Sequence, residues 1–119
     1  MFNKKNRQVY NLLELTPVRV NEHEENEGLI RILIPKFKNK FLLSLIPKGK
    51  SKHIRVKLDE IGSATWLAIN GRKKVNNIVA ELREKFGEKI EPAEDRVSKF
   101  IGGLNLHNLI YFKELKKEN

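Results

Sequence analysis

The stretch Leu58–Gly71, LDEIGSATWLAING, leaves the chain few options. Leu58 ends an alternating run. Asp59 offers a short carboxylate to the first free N–H groups of a following helix, so it reads as an N-cap. Ile61, Trp66, Leu67 and Ile69 leave almost no polar side, as in a helix enclosed by a core. Gly62, Ala64 and Ala68 are small and let another element approach closely. Asn70-Gly71 reads as a stop, because both residues tolerate the left-handed backbone region. Sheet-like sequence precedes this stretch and helical sequence follows it.

On the sheet side, Gln8–Leu15 carries Val9, Leu12, Leu13 and Leu15 and reads as a short helical turn or an extended arm, while Met1–Arg7 reads as frayed. Thr16-Pro17 breaks any helix, since a residue before proline is pushed to extended geometry. Val18–Val20 reads as a short strand and Asn21–Gly28, NEHEENEG, as an acidic surface loop facing the basic hairpin nearby or water. Three strands are predicted next: Leu29–Ile34 ended by Pro35, Phe41–Ile46 ended by Pro47, and His53–Leu58. The third alternates, with Ile54, Val56 and Leu58 on one face and Arg55 and Lys57 on the other. The first two are apolar on both faces and need a cover. The arm carrying Leu12, Leu13 and Leu15 is the expected one, with a second copy of the chain as runner-up.

On the helical side, Val75–Phe86 places Val75, Ile78, Val79, Leu82 and Phe86 on one face, and Gly87 stops it. Glu81 and Lys85 have the spacing of an i,i+4 ion pair. Pro92 suits a first helical position. The third helix runs to about Leu106, with Val97, Phe100, Ile101 and Leu104 on one face. Gly102-Gly103 inside it costs about 1 kcal/mol per glycine against alanine, which implies a kink or a close approach. Leu109–Phe112 reads as a final strand. The predicted fold is α+β: a winged helix-turn-helix, with a three-stranded antiparallel sheet, three helices and a short terminal strand. Its parts are an arm at 1–28 packing on the sheet, a domain at 29–112 and a charged tail at 113–119.

Charge adds a partner argument. The chain has 119 residues and a formal net charge of +9. Residues 1–57 hold 13 Lys/Arg against 5 Asp/Glu, and residues 58–119 hold 11 against 10. Such a field attracts anionic partners, or simply keeps sheet edges soluble and unpaired. The chain has no cysteine, so disulfides and thiolate metal sites are excluded. No apolar run approaches the ~20 residues that span a bilayer, and no signal peptide is visible. A cytoplasmic protein with no membrane partner is expected.

Chemistry-bearing patterns are scarce. His23, His53 and His107 lack ligand spacing, so no metal is expected. No P-loop, dinucleotide fingerprint or nucleophile–base arrangement occurs, and neither an enzyme nor a cofactor is expected. Trp66 reads as core.

The ordered set Leu58-Asp59, Gly62, Trp66, Gly71, Val75, Ile78 and Val79, continued by Phe100, Leu104 and Ile110, resembles the core pattern of the PqqD family. The resemblance covers about Leu29–Phe112. It implies a winged-helix module without catalysis that recognises ribosomally made, modified peptides. In such modules a precursor's leader adds as a strand beside the third strand and lies against the third helix. The module thereby presents the precursor to a modifying enzyme, often a radical S-adenosylmethionine (radical SAM) enzyme. Carried onto this chain, the resemblance assigns peptide binding to Ile54, Arg55, Val56, Lys57 and Leu58 on the edge strand. It assigns the wall to Val97, Phe100, Ile101 and Leu104. Read as plain structure, Val56 and Leu58 are core, Arg55 and Lys57 protect an edge, and only Phe100 and Leu104 of the wall line a groove. The rival function is DNA binding by the winged helix. The third helix, from Glu91 to Leu106, speaks against it: it carries Glu91, Glu94 and Asp95 against only Arg96 and Lys99, and its first turn is acidic where phosphates would approach.

Overall fold

The computed structural model describes residues 11–116. The expected fraying of Met1–Arg7 and the last residues of the tail fall outside that range. Among the described residues five strands are present: β1 (Pro17–Arg19), β2 (His23–Asn26), β3 (Leu29–Pro35), β4 (His53–Lys57) and β5 (Ile110–Phe112). Four helices accompany them: α1 (Lys40–Ser44), α2 (Glu60–Ala68), α3 (Val75–Phe86) and α4 (Ala93–Leu106). The architecture is α+β, with an antiparallel sheet in the order β2-β3-β4 and a separate two-stranded ribbon of β1 and β5.

The sheet has the predicted number of strands but not the predicted membership. Residues 23–26, expected to be loop, pair with β3 as a hairpin in which Asn26 faces Leu29. Its two-residue turn, Glu27-Gly28, has φ of 56° and 82°. Positive φ at both positions matches the twist of the flanking strands. Residues 41–46, expected to be a strand, instead belong largely to α1. Asn39 Oδ1 accepts from the Phe41 N–H at 2.7 Å and starts that helix. With β2 on one side of β3 and β4 on the other, no position remains for a strand there.

The arm also departs from expectation. Leu12–Glu14 forms a 3₁₀ turn, and the Leu15 carbonyl accepts from the Val75 N–H at 2.9 Å. The described part of the arm thus abuts the start of α3 rather than covering the sheet. Residues 17–19 then pair with β5, which places that strand beside β1 instead of in the main sheet. Glu114, just after β5, closes this ribbon: its two carboxylate oxygens accept from the Thr16 N–H at 2.8 Å and the Thr16 hydroxyl at 2.7 Å.

The helices form for the reasons the sequence offers. Asp59 caps α2, accepting from the Gly62 N–H at 2.7 Å. The helix ends at Ala68, and Asn70 Oδ1 then accepts from the N–H groups of Arg72 and Lys73 while Gly71 takes φ 80°. Val75, Ile78, Val79 and Leu82 of α3 are fully buried. Gly87, at φ 62°, terminates it. Pro92 stands one residue before α4, not inside it, and Glu91 accepts from the Ala93 N–H at 3.1 Å. That bond and the stronger one from Arg83 hold the Glu91 carboxyl below the usual range, the Arg83 contact contributing most. Glu81 pairs with Lys73 rather than Lys85.

One core joins these parts. Ile30 and Ile32 of β3 and Trp66 of α2 are sealed, together with Ile78, Leu82 and Ile101. Truncating such a side chain to alanine costs about 2–5 kcal/mol. Ser63 stitches α2 to the sheet. Its hydroxyl accepts from the Ile30 N–H at 2.8 Å and donates toward the Leu58 carbonyl at 3.4 Å.

Candidate functional site

Among the described residues β4 pairs only with β3. The register places Ile32 opposite Val56 and Ile34 opposite Ile54. Leu58 N–H donates to the Ile30 carbonyl, and Lys36 N–H to the Lys52 carbonyl, both at 2.9 Å. Bonded pairs alternate along an antiparallel ladder. The backbone groups of Ile54 and Val56 therefore turn toward β3, and those of His53, Arg55 and Lys57 turn outward.

Side chains of the same strand divide between the two sheet faces. Val56 and Leu58 join Ile34 in one wall of a groove of about 600 Å³. Lys99, Phe100, Gly103 and Leu104 of α4 form the other wall, and His107 and Leu109 stand at its end. Ile54 is 54% exposed at the strand's start. Arg55 and Lys57 project from the opposite sheet face. There Arg55 donates to Glu24 at 2.8 Å, and Arg31 stands 3.6 Å from the same carboxylate. The acidic stretch thus partners the basic sheet through one residue of β2.

Of the expected wall residues, Phe100 and Leu104 line the groove. Val97 and Ile101 are 1% and 0% exposed and support the wall from within the core. Gly62 lies beneath Phe100: a methyl group there would crowd Asp59 Oδ1 at 3.0 Å and meet Phe100 Cε1 in ordinary contact at 3.5 Å.

Sequence reasoning did not assign Ile34, Lys99, Gly103, His107 or Leu109 to this site. The Gly102-Gly103 pair was a signal with two readings, a kink or a close approach. In the fold α4 runs through both glycines, and nothing lies within 4 Å of where a side chain on Gly103 would begin. That open space is part of the groove.

Among the described residues no group of three His, Asp or Glu side chains is placed to hold a metal ion. No described helix is long and apolar enough to cross a membrane.

Comparison with known proteins adds one finding. The family described as coenzyme PQQ synthesis protein D (PqqD) matches residues 50–110, more than half of the chain. The match begins later than the resemblance read from Leu29 onward. It takes in β4, α2, α3 and α4 and reaches the first residue of β5. No curated protein and no solved structure matches the chain. With its edge strand, its three long helices and every groove-lining residue but Ile34 inside the matched range, the chain belongs to the PqqD family.

Proposed function

We propose that this chain is a non-catalytic, peptide-binding adaptor of winged-helix type. It captures the leader of a ribosomally made precursor peptide along the outer edge of β4 and presents the precursor to a radical SAM modifying enzyme. One observation carries the reading: among the described residues, a strand edge without a strand partner lies beside a largely apolar groove. Strand addition needs both, outward N–H and C=O groups for affinity and pockets for alternate side chains for selection. Arg55 and Lys57 supply the former, whereas the His53 N–H and carbonyl are already bonded to the Ser51 hydroxyl. Val56, Leu58, Phe100 and Leu104 supply the latter. Acidic residues of the leader would lie beside Arg55 and Lys57 on the opposite face, which favours one register.

DNA binding finds less support. Lys99 stands 3.3 Å from Asp95, and Arg96 donates to the Lys89 carbonyl at 2.7 Å. Both basic residues of α4 are thereby engaged with their own chain.

The test is titration with the leader peptide encoded beside the gene. Arg55→Pro removes an outward N–H and leaves the β3 ladder intact. It is expected to weaken binding about tenfold, the loss of roughly one charge-free hydrogen bond with its geometry. Unchanged affinity would count against strand addition.

A further inference from the structure

The connection between β3 and β4 has a chemistry of its own, and nearly all of it precedes the residues matched by the family. Asn39 starts α1, and the Ser44 hydroxyl donates to the Phe41 carbonyl at 2.6 Å within it. Rotation of about 100° per residue places Phe41, Leu42 and Leu45 within one arc of that helix. This arc faces water: Phe41 is 68% and Leu45 62% exposed, and Leu42 and Phe37 are exposed too. Leu43 and Ile46, on the other side, are half-buried. A helix resting on a protein normally shows the reverse.

Lysines flank this tip on both sides: Lys36, Lys38 and Lys40 before it, Lys48, Lys50 and Lys52 after it. No acidic residue occurs between Lys36 and Lys57. Among the described residues none of the six lysines has a carboxylate within ion-pair distance.

The geometry points to Lys36–Lys52 as a peripheral docking element for an anionic lipid bilayer. Phe37, Phe41, Leu42 and Leu45 enter the boundary between headgroups and acyl chains, and the lysines contact headgroup phosphates. Charge argues against a second copy as the occupant, since it would set six cations against six. Size argues against a folded acidic protein. A stable interface takes roughly 20–30 residues a side, and four apolar side chains on and beside a short helix fall far below that. A fluid surface needs no matching pocket. This assignment is independent of peptide capture and stands or falls without it.

The full chain is tested by cosedimentation with vesicles of phosphatidylcholine alone and of phosphatidylcholine mixed with phosphatidylglycerol. Binding to the mixed vesicles is expected to be about tenfold tighter or more. The triple change Lys38→Gln, Lys40→Gln, Lys48→Gln is expected to weaken it about tenfold. Removing three lysines elsewhere, Lys85→Gln, Lys89→Gln and Lys113→Gln, is expected to change it less than about twofold. Phe41→Ser with Leu45→Ser is expected to weaken it about tenfold at unchanged charge. All these positions are exposed, and far-UV circular dichroism checks that each variant is folded. Three results would overturn the proposal: no binding to the mixed vesicles, equal losses from the two lysine sets, or no loss from the Phe41 and Leu45 changes. Capture of an acidic protein without vesicle binding would also overturn it.

Discussion

The indole N–H of Trp66 donates to Nδ1 of His23 at 3.0 Å, with the two rings nearly perpendicular. This bond ties α2, the most buried helix, to β2 at one edge of the sheet. It also accounts for the only tryptophan's polar atom, which burial would otherwise leave without a partner. Arg19, with its guanidinium carbon 5.7 Å from the ring centroid of Trp66, approaches the same indole.

His23→Leu is therefore expected to destabilise the fold by about 1–3 kcal/mol, the cost of a buried donor left unpaired. In a Trp66→Phe background the same change is expected to cost less, because no donor remains. Urea unfolding of the four proteins of this cycle checks the coupling.

Gly103 permits a graded test of the groove. Gly103→Ala is expected to stabilise α4 by about 0.5–1 kcal/mol, because nothing crowds the added methyl group. Gly103→Trp is expected to remain folded but to fill the space between Phe100 and Val56. Peptide titration of the two variants should show affinity kept by the alanine and lost by the tryptophan.

Acid should loosen the ribbon of β1 and β5. Desolvation, the largest single influence on Glu114, pushes its carboxyl upward, but the bonds from the Thr16 N–H and hydroxyl, its own backbone N–H and the charge of Lys74 together outweigh it. The net shift is downward, so the folded carboxyl is more acidic than the unfolded one. Its contribution is complete above the ordinary glutamate range and fades as pH falls through the lower folded value. Glu114→Gln is expected to cost about 1 kcal/mol at neutral pH and almost nothing in acid, read from unfolding midpoints across pH.

Periodicity made α3 and α4 legible. Apolar side chains at 75, 78, 79 and 82, and again at 97, 101 and 104, leave one possible period, and the helices run over Val75–Phe86 and Ala93–Leu106. Asp59 was legible as a cap because a carboxylate before an apolar helix has few other uses. The run Phe41–Ile46 was not legible, since a short continuous apolar stretch has no period to separate strand from helix. β2 was hidden for the opposite reason: HEEN is polar, and only pairing with β3 makes it a strand. β1 and β5 span three residues each and meet across nearly the whole chain, which no local pattern encodes. At the site, alternation placed Val56 and Leu58 on one face and helical spacing placed Phe100 and Leu104 on another. Which wall residues sit behind the surface depends on how deeply α4 packs, and Val97 and Ile101 are sealed by that packing.

Amide hydrogen exchange along β4 tests strand addition most directly. In the free protein the N–H groups of Ile54, Val56 and Leu58 face β3, and those of His53, Arg55 and Lys57 face outward. Saturation with the leader peptide is predicted to slow exchange about tenfold or more at Arg55 and Lys57, with Val56 little changed. The His53 amide, already bonded to the Ser51 hydroxyl, is expected to change less. Saturated peptide binding with unaltered exchange at Arg55 and Lys57 would contradict the account.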